Sequence, residues 1–298
     1  MSAATTIEAG PGPRPRSAVV ARSRRLKNRA FTGFLWACGV LALLPLVFIV
    51  GYVVAKGFAA LNIDFFTKEP AVPGRPGGGI VQSFIGTGLI VGMSIAFSVP
   101  LGLLAAVYLS EYGRGKMASA VRFVAEILLS TPSIVAGAFI WALVVVTLGN
   151  FSAFAGAVAL TVLMWPIIAR ATEEILRLVP TDLREGALAL GLPRWKVILR
   201  VVIPTAGSGI FTAIMLAVAR GMGETAPILL TALGNEFINV NPLQPTDAVP
   251  LRIYKYARTP VLSQHTIAWG GAIVLLAAVL LLSITARVLA NRQQRRVR

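Results

Sequence analysis

Residues 170–204 read RATEEILRLVPTDLREGALALGLPRWKVILRVVIP, the longest polar interval on the basic side of the chain's apolar runs. Six of its residues are basic (Arg170, Arg177, Arg184, Arg194, Lys196, Arg200) and four are acidic (Glu173, Glu174, Asp182, Glu185). Pro180 and Thr181 stop a helical run. Asp182 then suits an N-cap, with Glu185 three residues on to reach back as in a capping box. Gly191 tolerates the positive φ of a helix terminator. Pro193 suits the first turn of a second helix, predicted over Arg194 to Ile203 and ending at Pro204. Leu183, Ala187 and Leu190 fall near one face of the first helix. The small residues Gly186, Ala187 and Ala189 let a second backbone or a groove wall come close. The bland reading of such a stretch is a solvated loop.

The flanking sequence is apolar. Of 298 residues, 56% are hydrophobic and only 13% charged, against about 25% charged in a typical soluble protein. Residues 31–55, 83–109, 121–148, 151–169, 205–233 and 267–289 each come near to or exceed the roughly 20 residues that span a bilayer. An all-α integral membrane protein with six spans is predicted. The formal net charge of +16 raises the question of nucleic acid, and its distribution answers it. Twenty-one Lys and Arg lie before the first span, after the second, after the fourth and at the end of the sixth, against six on the other side. The positive-inside rule then puts both termini in the cytoplasm. The basic charge faces anionic lipid, and nucleic acid is excluded as a partner.

Three regions follow. Residues 1–30, rich in Pro, Gly, Ser and Arg, are expected to form a disordered basic tail. Residues 31–290 form the membrane domain, and 291–298 a second basic tail. The first apolar run is too long for a secretory signal and lacks a convincing cleavage site. Cys38 stands alone, so no internal disulfide, metal cluster or redox site is suggested. The segment Lys56–Gly79 ends in a flexible Pro-Gly-Arg-Pro-Gly-Gly-Gly entry to the second span. In that span Gly86, Gly88, Gly92, Pro100 and Gly102 punctuate the helix for close packing or gentle kinks. Pro132, within Ser130-Thr-Pro-Ser133, predicts a kink in the third span, with hydroxyls to satisfy the freed carbonyls. Glu126 is expected to snorkel or to pair with Arg122 one turn earlier. Arg170 and Glu173 bound the fourth span, either as a cytoplasmic gate or as simple anchors. The loop 234–266, with Tyr254, Lys255, Tyr256 and Arg258, is a candidate docking surface outside, and its lone His265 reads as incidental.

The fifth run carries the sharpest chemistry, Arg220-Gly-Met-Gly-Glu224-Thr225-Ala-Pro227. Twenty-nine residues at 1.5 Å each make about 43 Å, against a hydrocarbon core of roughly 30 Å. Such a run is not wholly straight. Arg220 and Glu224 lie near its middle, where each charge costs on the order of 2.5–3.5 kcal/mol without a partner or water. At i and i+4 they share a helix face and can pair. Gly221, Gly223 and Pro227 weaken the helix there, since Pro227 frees the carbonyl of Gly223. Broken helices carrying charge at mid-membrane are a common design for transporter sites. The bland alternative is a structural ion pair between helices.

Glu185-Gly186-Ala187, three residues, Gly191, nine residues, then Val201-Val-Ile203-Pro204 resembles the EAA loop of ATP-binding-cassette importer permeases, with Gly186 for the usual Ala, Val201 for Ile and Ile203 for Leu. Gly78-Gly-Ile80 to Gly86-Thr87, Val99-Pro-Leu-Gly102, Tyr108-Leu-Ser-Glu111-Tyr112, Arg122-Phe and Thr131-Pro-Ser-Ile-Val135 are similar to the core spans of phosphate importer permeases. Arg220-Gly-Met-Gly-Glu224-Thr-Ala-Pro227 is similar to their PstA type. The resemblance covers most of the chain after residue 78. It implies a type I importer permease fold in which Glu185, Gly186, Ala187, Gly191 and Pro204 belong to a coupling loop that docks in a cleft of the ATPase. It implies as partners a second permease of the PstC type, two ATPases of the PstB type that hold ATP and Mg, and an extracytoplasmic binding protein of the PstS type. This chain itself would hold no cofactor. Arg220, Glu224 and Thr225, with Arg170 and Glu173, are the candidates for the anion path or its gate. A guanidinium suits phosphate because its planar fork meets two oxygens at once. Glu224 either holds Arg220 while the path is empty or gates the cytoplasmic end. Molybdate, sulfate or a phosphonate stay open as the cargo. A non-transporting assembly component would leave the charged, broken span unexplained. An enzyme is disfavoured, because the sequence offers no nucleophile–base pair at membrane depth, no HExxH and no phosphate loop.

Overall fold

The computed structural model describes residues 18–71 and 77–297, with side chains over 24–71 and 77–288. The predicted tail at 1–17 and most of the Pro-Gly-Arg-Pro entry lie outside the described residues. A first unit, residues 1–52, consists in its described part of helix α1 (Ala18–Gly57) up to Tyr52. The helix begins at Ala18, so residues 18–30 are helical where the composition suggested disorder. Its apolar side chains, Phe34, Leu35, Trp36, Leu41 and Phe48 among them, are exposed.

The second unit, residues 53–298, holds the rest. A short α2 (Ile63–Thr67) is capped by Asn62, whose Oδ1 accepts from the Phe65 N–H at 2.8 Å. α3 (Val81–Val107) continues through a π-turn at Tyr108–Tyr112. Next come α4 (Lys116–Ser130), α5 (Ser133–Ile140), a second π-turn and α6 (Val146–Leu148). α7 (Ala153–Arg177) starts on a Ser152 cap, the Ala155 N–H donating to Ser152 Oγ at 3.1 Å. α8 (Thr181–Ala189) and α9 (Arg194–Val197) follow. A third π-turn at Ile198–Val202 leads into α10 (Ile203–Met222), and then come α11 (Ala226–Thr231), α12 (Val249–Ala257) and α13 (Leu262–Val297).

Five of these helical stretches are long and apolar enough to cross a membrane, and α4 with α5–α6 makes a sixth if the bent pair is one span. That pair stands where a kink was predicted at Pro132. The bend is 108°, far more than a kink. Thr131 sits at extended ψ, 131°, because a proline drives the residue before it out of the helical region, and Pro132 sits at 134° as the non-helical N-cap of α5. The carbonyl of Ile127 is satisfied locally by the Thr131 N–H and by the hydroxyls of Ser130 and Thr131. The fifth span is displaced as well. It runs as one helix over Arg194–Met222, starting eleven residues before the expected 205. Pro204 does not stop it. The π-turn before Pro204 lets the Ile203 N–H reach the Ile198 carbonyl, and Thr205 Oγ1 donates to the Val201 carbonyl at 2.6 Å.

α7 is the central helix. Its apolar window is 67% buried, against 17% for α13. Ala153, Ala157, Leu160, Met164 and Ile168 meet Ile90 and Val91 of α3 and Ala217 and Val218 of α10. Where lipid is as apolar as leucine, such packing rests on close approach rather than on water exclusion. Gly102 supplies it, since a Cβ there would stand 2.7 Å from Ile168. Gly88 and Gly92 do not; they line an open apolar cleft between α3, α10 and α13.

The end of the bundle opposite α8 is tied by buried charge. Asp247 and Arg252 are each 1% exposed. Arg252 Nε donates to Asp247 Oδ2 at 2.7 Å, its Nη1 donates to both Glu236 oxygens, and Nη2 donates to the Asn235 carbonyl. Ser83 of α3 donates to the same Asp247 oxygen, and the Val249 N–H donates to Thr87 Oγ1 at 2.9 Å. Burial pushes the Asp247 carboxyl above the ordinary carboxylate value, against the pull of the Arg252 cation. Gly86 allows the approach, because a Cβ there would stand 2.0 Å from the Asp247 carbonyl oxygen. The segment read as a docking loop thus holds a packed helix. Tyr256 is buried under the Arg252 guanidinium at 5.1 Å, leaving Tyr254 and Arg258 exposed.

Removing one partner of a buried ion pair costs about 3–5 kcal/mol because the other charge stays uncompensated. Arg252→Met is therefore expected to lower the melting temperature in detergent sharply, and Arg252→Met with Asp247→Asn to recover part of the loss. A double variant as unstable as the single one would show that the pair is not what fastens this end.

Candidate functional site

Three places carry the residues singled out by sequence. The first is α8. It begins at Thr181 after an extended Pro180, with no side-chain cap, so Asp182 sits inside the first turn and the predicted capping box does not form. Its carboxylate still suits the positive end of the helix. Glu185 and Gly186 are exposed. Ala187 is buried against Leu176, Val179, Val197 and Val202, while Leu183 and Leu190, one turn to either side of it, stay exposed. The three fall near one face by their i+4 and i+3 spacing, and of them only Ala187 is covered. Gly191 ends the helix at φ +78°, with the Leu192 N–H bonded back to the Ala187 carbonyl. Leu183, Leu188 and Leu190 are exposed on this short polar helix, as are Glu185 and Gly186.

The second place is the last turn of α7. Glu173, 1% exposed, accepts from Arg122 Nε at 2.8 Å, Arg170 Nη1 at 2.8 Å and Arg177 Nη2 at 2.6 Å. Arg122 reaches past Glu126, its expected partner, and also donates to the Leu109 carbonyl. Glu126 instead meets Arg170 at 3.5 Å. Arg170 and Glu173 thus join a five-residue knot with Arg122, Glu126 and Arg177, between α4, α7 and the end of α3. Sequence spacing sees only neighbours along one helix, and this knot is closed across 51 residues.

The third place is the break between α10 and α11. Arg220 lies in the last turn of α10, nearer the helix end than the sequence suggested. Gly223 and Glu224 turn the chain, with the Gly223 N–H donating to the Arg220 carbonyl and the Glu224 N–H to the Gly221 carbonyl. Thr225 precedes α11 and accepts the Leu229 N–H on its carbonyl. Arg220 Nε stands 3.7 Å from Glu224 Oε1, and the two side chains are 56% and 15% exposed. The pair predicted at i and i+4 forms, loosely, with the guanidinium turned outward. Gly137 of α5 lies directly against Pro227, where a Cβ would stand 2.6 Å from its Cα. The two broken helices meet at this point. The apolar cleft of about 400 Å³ lined by Gly88, Gly92, Val218 and Met222 has Thr87 as its one polar lining residue and offers nothing to an anion.

Sequence reasoning did not find Arg252 and Asp247, read only as outer charge and loop, or the contact of Arg184 with Glu111 at 2.9 Å. No local spacing signals either pair.

Residues 98–298 match the family described as binding-protein-dependent transport system inner membrane component. The chain is 40% identical to the phosphate transport system permease protein PstA of Yersinia pestis, over 89% of this chain and 90% of that one. It is 45% identical to the PstA of Xylella fastidiosa, over 81% and 84%. With PstA 1 of Mycobacterium tuberculosis it shares 40% identity over 97% of each chain. The fold resembles a bacterial alginate ABC transporter chain (TM-score 0.66, 13% identity, 90% of this chain and 96% of that one) and the inward-facing MetNI methionine ABC transporter (TM-score 0.56, 20% identity, 72% and 94%). With a helical bundle of that fold, and this identity over nearly its whole length, the chain belongs to the family of binding-protein-dependent transport system inner membrane components, among the PstA permeases.

Proposed function

We propose that this chain is one of two membrane halves of an ATP-driven phosphate importer and couples to a separate ATPase. The single observation that carries the cargo is the Arg220–Glu224 pair at the meeting of two broken helices, in a chain whose relatives are named phosphate transport permeases. A guanidinium held by one loose contact and half open to its surroundings can turn its two-pronged face to a phosphate without first breaking a buried network. Glu224 keeps it from drifting when no anion is present. A homologous second permease faces the exposed side of Arg220, an extracytoplasmic binding protein delivers the anion, and both termini lie in the cytoplasm by the distribution of Lys and Arg. ATP and Mg sit on two copies of the partner ATPase. The outer surface of α8, with Glu185, Gly186, Leu183 and Leu188, enters the ATPase cleft, and closure of the ATPases rocks the spans.

Three outcomes test this reading. A cysteine at residue 180 is expected to react with an impermeant thiol reagent only from the cytoplasmic side, and one at residue 245 only from outside; labelling of both from one side would reverse or break the topology.

At Gly191 a side chain meets open space, so the whole penalty of Gly191→Val is the left-handed backbone, about 1–2 kcal/mol. That variant is expected to insert but to lose bound ATPase or to hydrolyse ATP without transport, while Gly191→Asn keeps both. Full coupling in the Val variant would remove α8 from the docking role.

For the anion path, Arg220→Gln with Glu224→Gln separates the two roles of the pair. A purely structural pair tolerates joint neutralisation. A phosphate contact does not, so phosphate uptake in vesicles is expected to stay lost with the ATPase still bound, and Arg220→Lys to give partial uptake with weaker preference over sulfate. Recovery of uptake in the double variant would make Arg220 a structural partner only.

A further inference from the structure

We propose that Arg184 is the positioning residue that fastens the docking helix to the spans, and that its ion pair with Glu111 carries the displacement of α8 into α3 and α7. The inference rests on the reading that α8 meets the ATPase. Arg184 and Glu185 are consecutive, about 100° apart around the helix, and they divide the two tasks. Glu185 is exposed on the outside of α8. Arg184 turns inward: Nη1 donates to the Val179 carbonyl at 2.6 Å, and Nη2 donates to the Leu176 carbonyl at 2.7 Å and to Glu111 Oε1 at 2.9 Å. The two carbonyls close the C-terminal end of α7, where the helix favours a cation. Glu111 lies in the π-turn that ends α3, and its side chain is 9% exposed.

One guanidinium therefore joins three elements. Its planar fork allows this, since a lysine ammonium is a single point of charge. Next to Glu111, Tyr112 lies under the Arg194 guanidinium of α9 at 5.6 Å, so the same π-turn holds both short helices of the loop. Pulling α8 away would strip the largely covered Glu111 of its cation, a cost avoided if the helix ends move along with α8. α3 then extends the motion. Glu111 and Ser83 are separated by about 42 Å of helix at 1.5 Å per residue, and Ser83 is bonded to Asp247 at the other end. A pull on α8 is thereby delivered to a rod fixed at its far end to the Arg252 network.

The test uses the whole complex, with second permease, ATPase and binding protein, reconstituted in vesicles. Phosphate delivered per ATP hydrolysed is the readout, beside the amount of ATPase retained. Glu111→Gln leaves Arg184 its two carbonyls and removes only the ion pair. In it and in Arg184→Gln the ratio is expected to fall about tenfold with ATPase still bound and active, and Arg184→Lys is expected to recover part. A contact needed merely for folding would lower ATPase retention and leave the ratio alone. A second readout does not depend on cargo: in a Cys38→Ala background, thiol labelling of Arg114→Cys beside the π-turn is expected to change on ATP addition, and to stop changing when Glu111→Gln is added. An unchanged ratio and unchanged labelling response in both Gln variants, or loss of ATPase from both, would overturn the clamp. Absence of phosphate uptake by the native complex, with the labelling response intact, would count against the proposed cargo and leave the clamp standing.

Discussion

A carboxylate withdrawn from water inside an apolar protein needs a cation within hydrogen-bonding reach, and this chain meets that demand with arginine each time. Asp247 is held by Arg252, Glu173 by three arginines and Glu111 by Arg184, all at 2.6–2.9 Å. These nodes sit where the helices end, and each joins elements that are distant in sequence. The apolar packing between the nodes has no directional preference of its own in lipid, so the charged nodes fix which helix ends belong together. Arg220 and Glu224 are the exception. At 3.7 Å they form the longest of the ion pairs between described residues, and theirs is an arginine more than half exposed. A contact so loose adds little to stability. Its placement at the junction of α5 and α11 accounts for it better than any role in holding the bundle.

The broken helices follow from the same shortage of water. A backbone group freed by proline in an apolar setting must find a partner close by. At Pro132 the hydroxyls of Ser130 and Thr131 both donate to the Ile127 carbonyl beside the break, and the chain turns by 108°. At Pro204 the ladder widens into a π-turn, Thr205 Oγ1 donates to the Val201 carbonyl, and the helix continues. Pro227 lies in the first turn of α11, where no donor is missed. Three prolines thus give three different outcomes, and the neighbouring side chains decide which.

This also marks how far the sequence could be read. Apolar length and the placement of Lys and Arg are properties of the chain alone, and they carried the all-helical membrane fold. Gly191 was legible because a left-handed terminator has few alternatives, and it stands at φ +78°. The weakness at Gly223, which ends α10 at an ordinary φ of −91°, was legible instead from Gly221, Gly223 and Pro227 standing close together. Pairing was not. Arg122 had a carboxylate one turn away in Glu126 and bonded instead to Glu173 on another helix, since there the carboxylate is buried and the gain from pairing is larger. Ala187 was read as a small residue that lets a neighbour come close, and the neighbours it meets are this chain's own Leu176, Val179, Val197 and Val202. Pro204 was read as an end because a proline removes one donor, while the chain absorbed that loss with one wider turn.

A route for an anion differs from a site that stores one, and the role proposed for Arg220 is the former. A cluster such as Arg122, Arg170 and Arg177 around Glu173 has charge to spare, but its arginines are committed to a buried carboxylate, and an arriving anion would have to displace it. Arg220 has no such commitment beyond one long contact. Conduction requires that binding be favourable enough to admit the ion and weak enough to release it. One guanidinium, partly balanced by its own carboxylate, meets both conditions where a cage of three would hold the anion back. In the proposed importer, selection therefore belongs to the protein that delivers the phosphate, and this chain contributes a single charged step whose opening is set by the helices that Arg184 and Glu111 tie together.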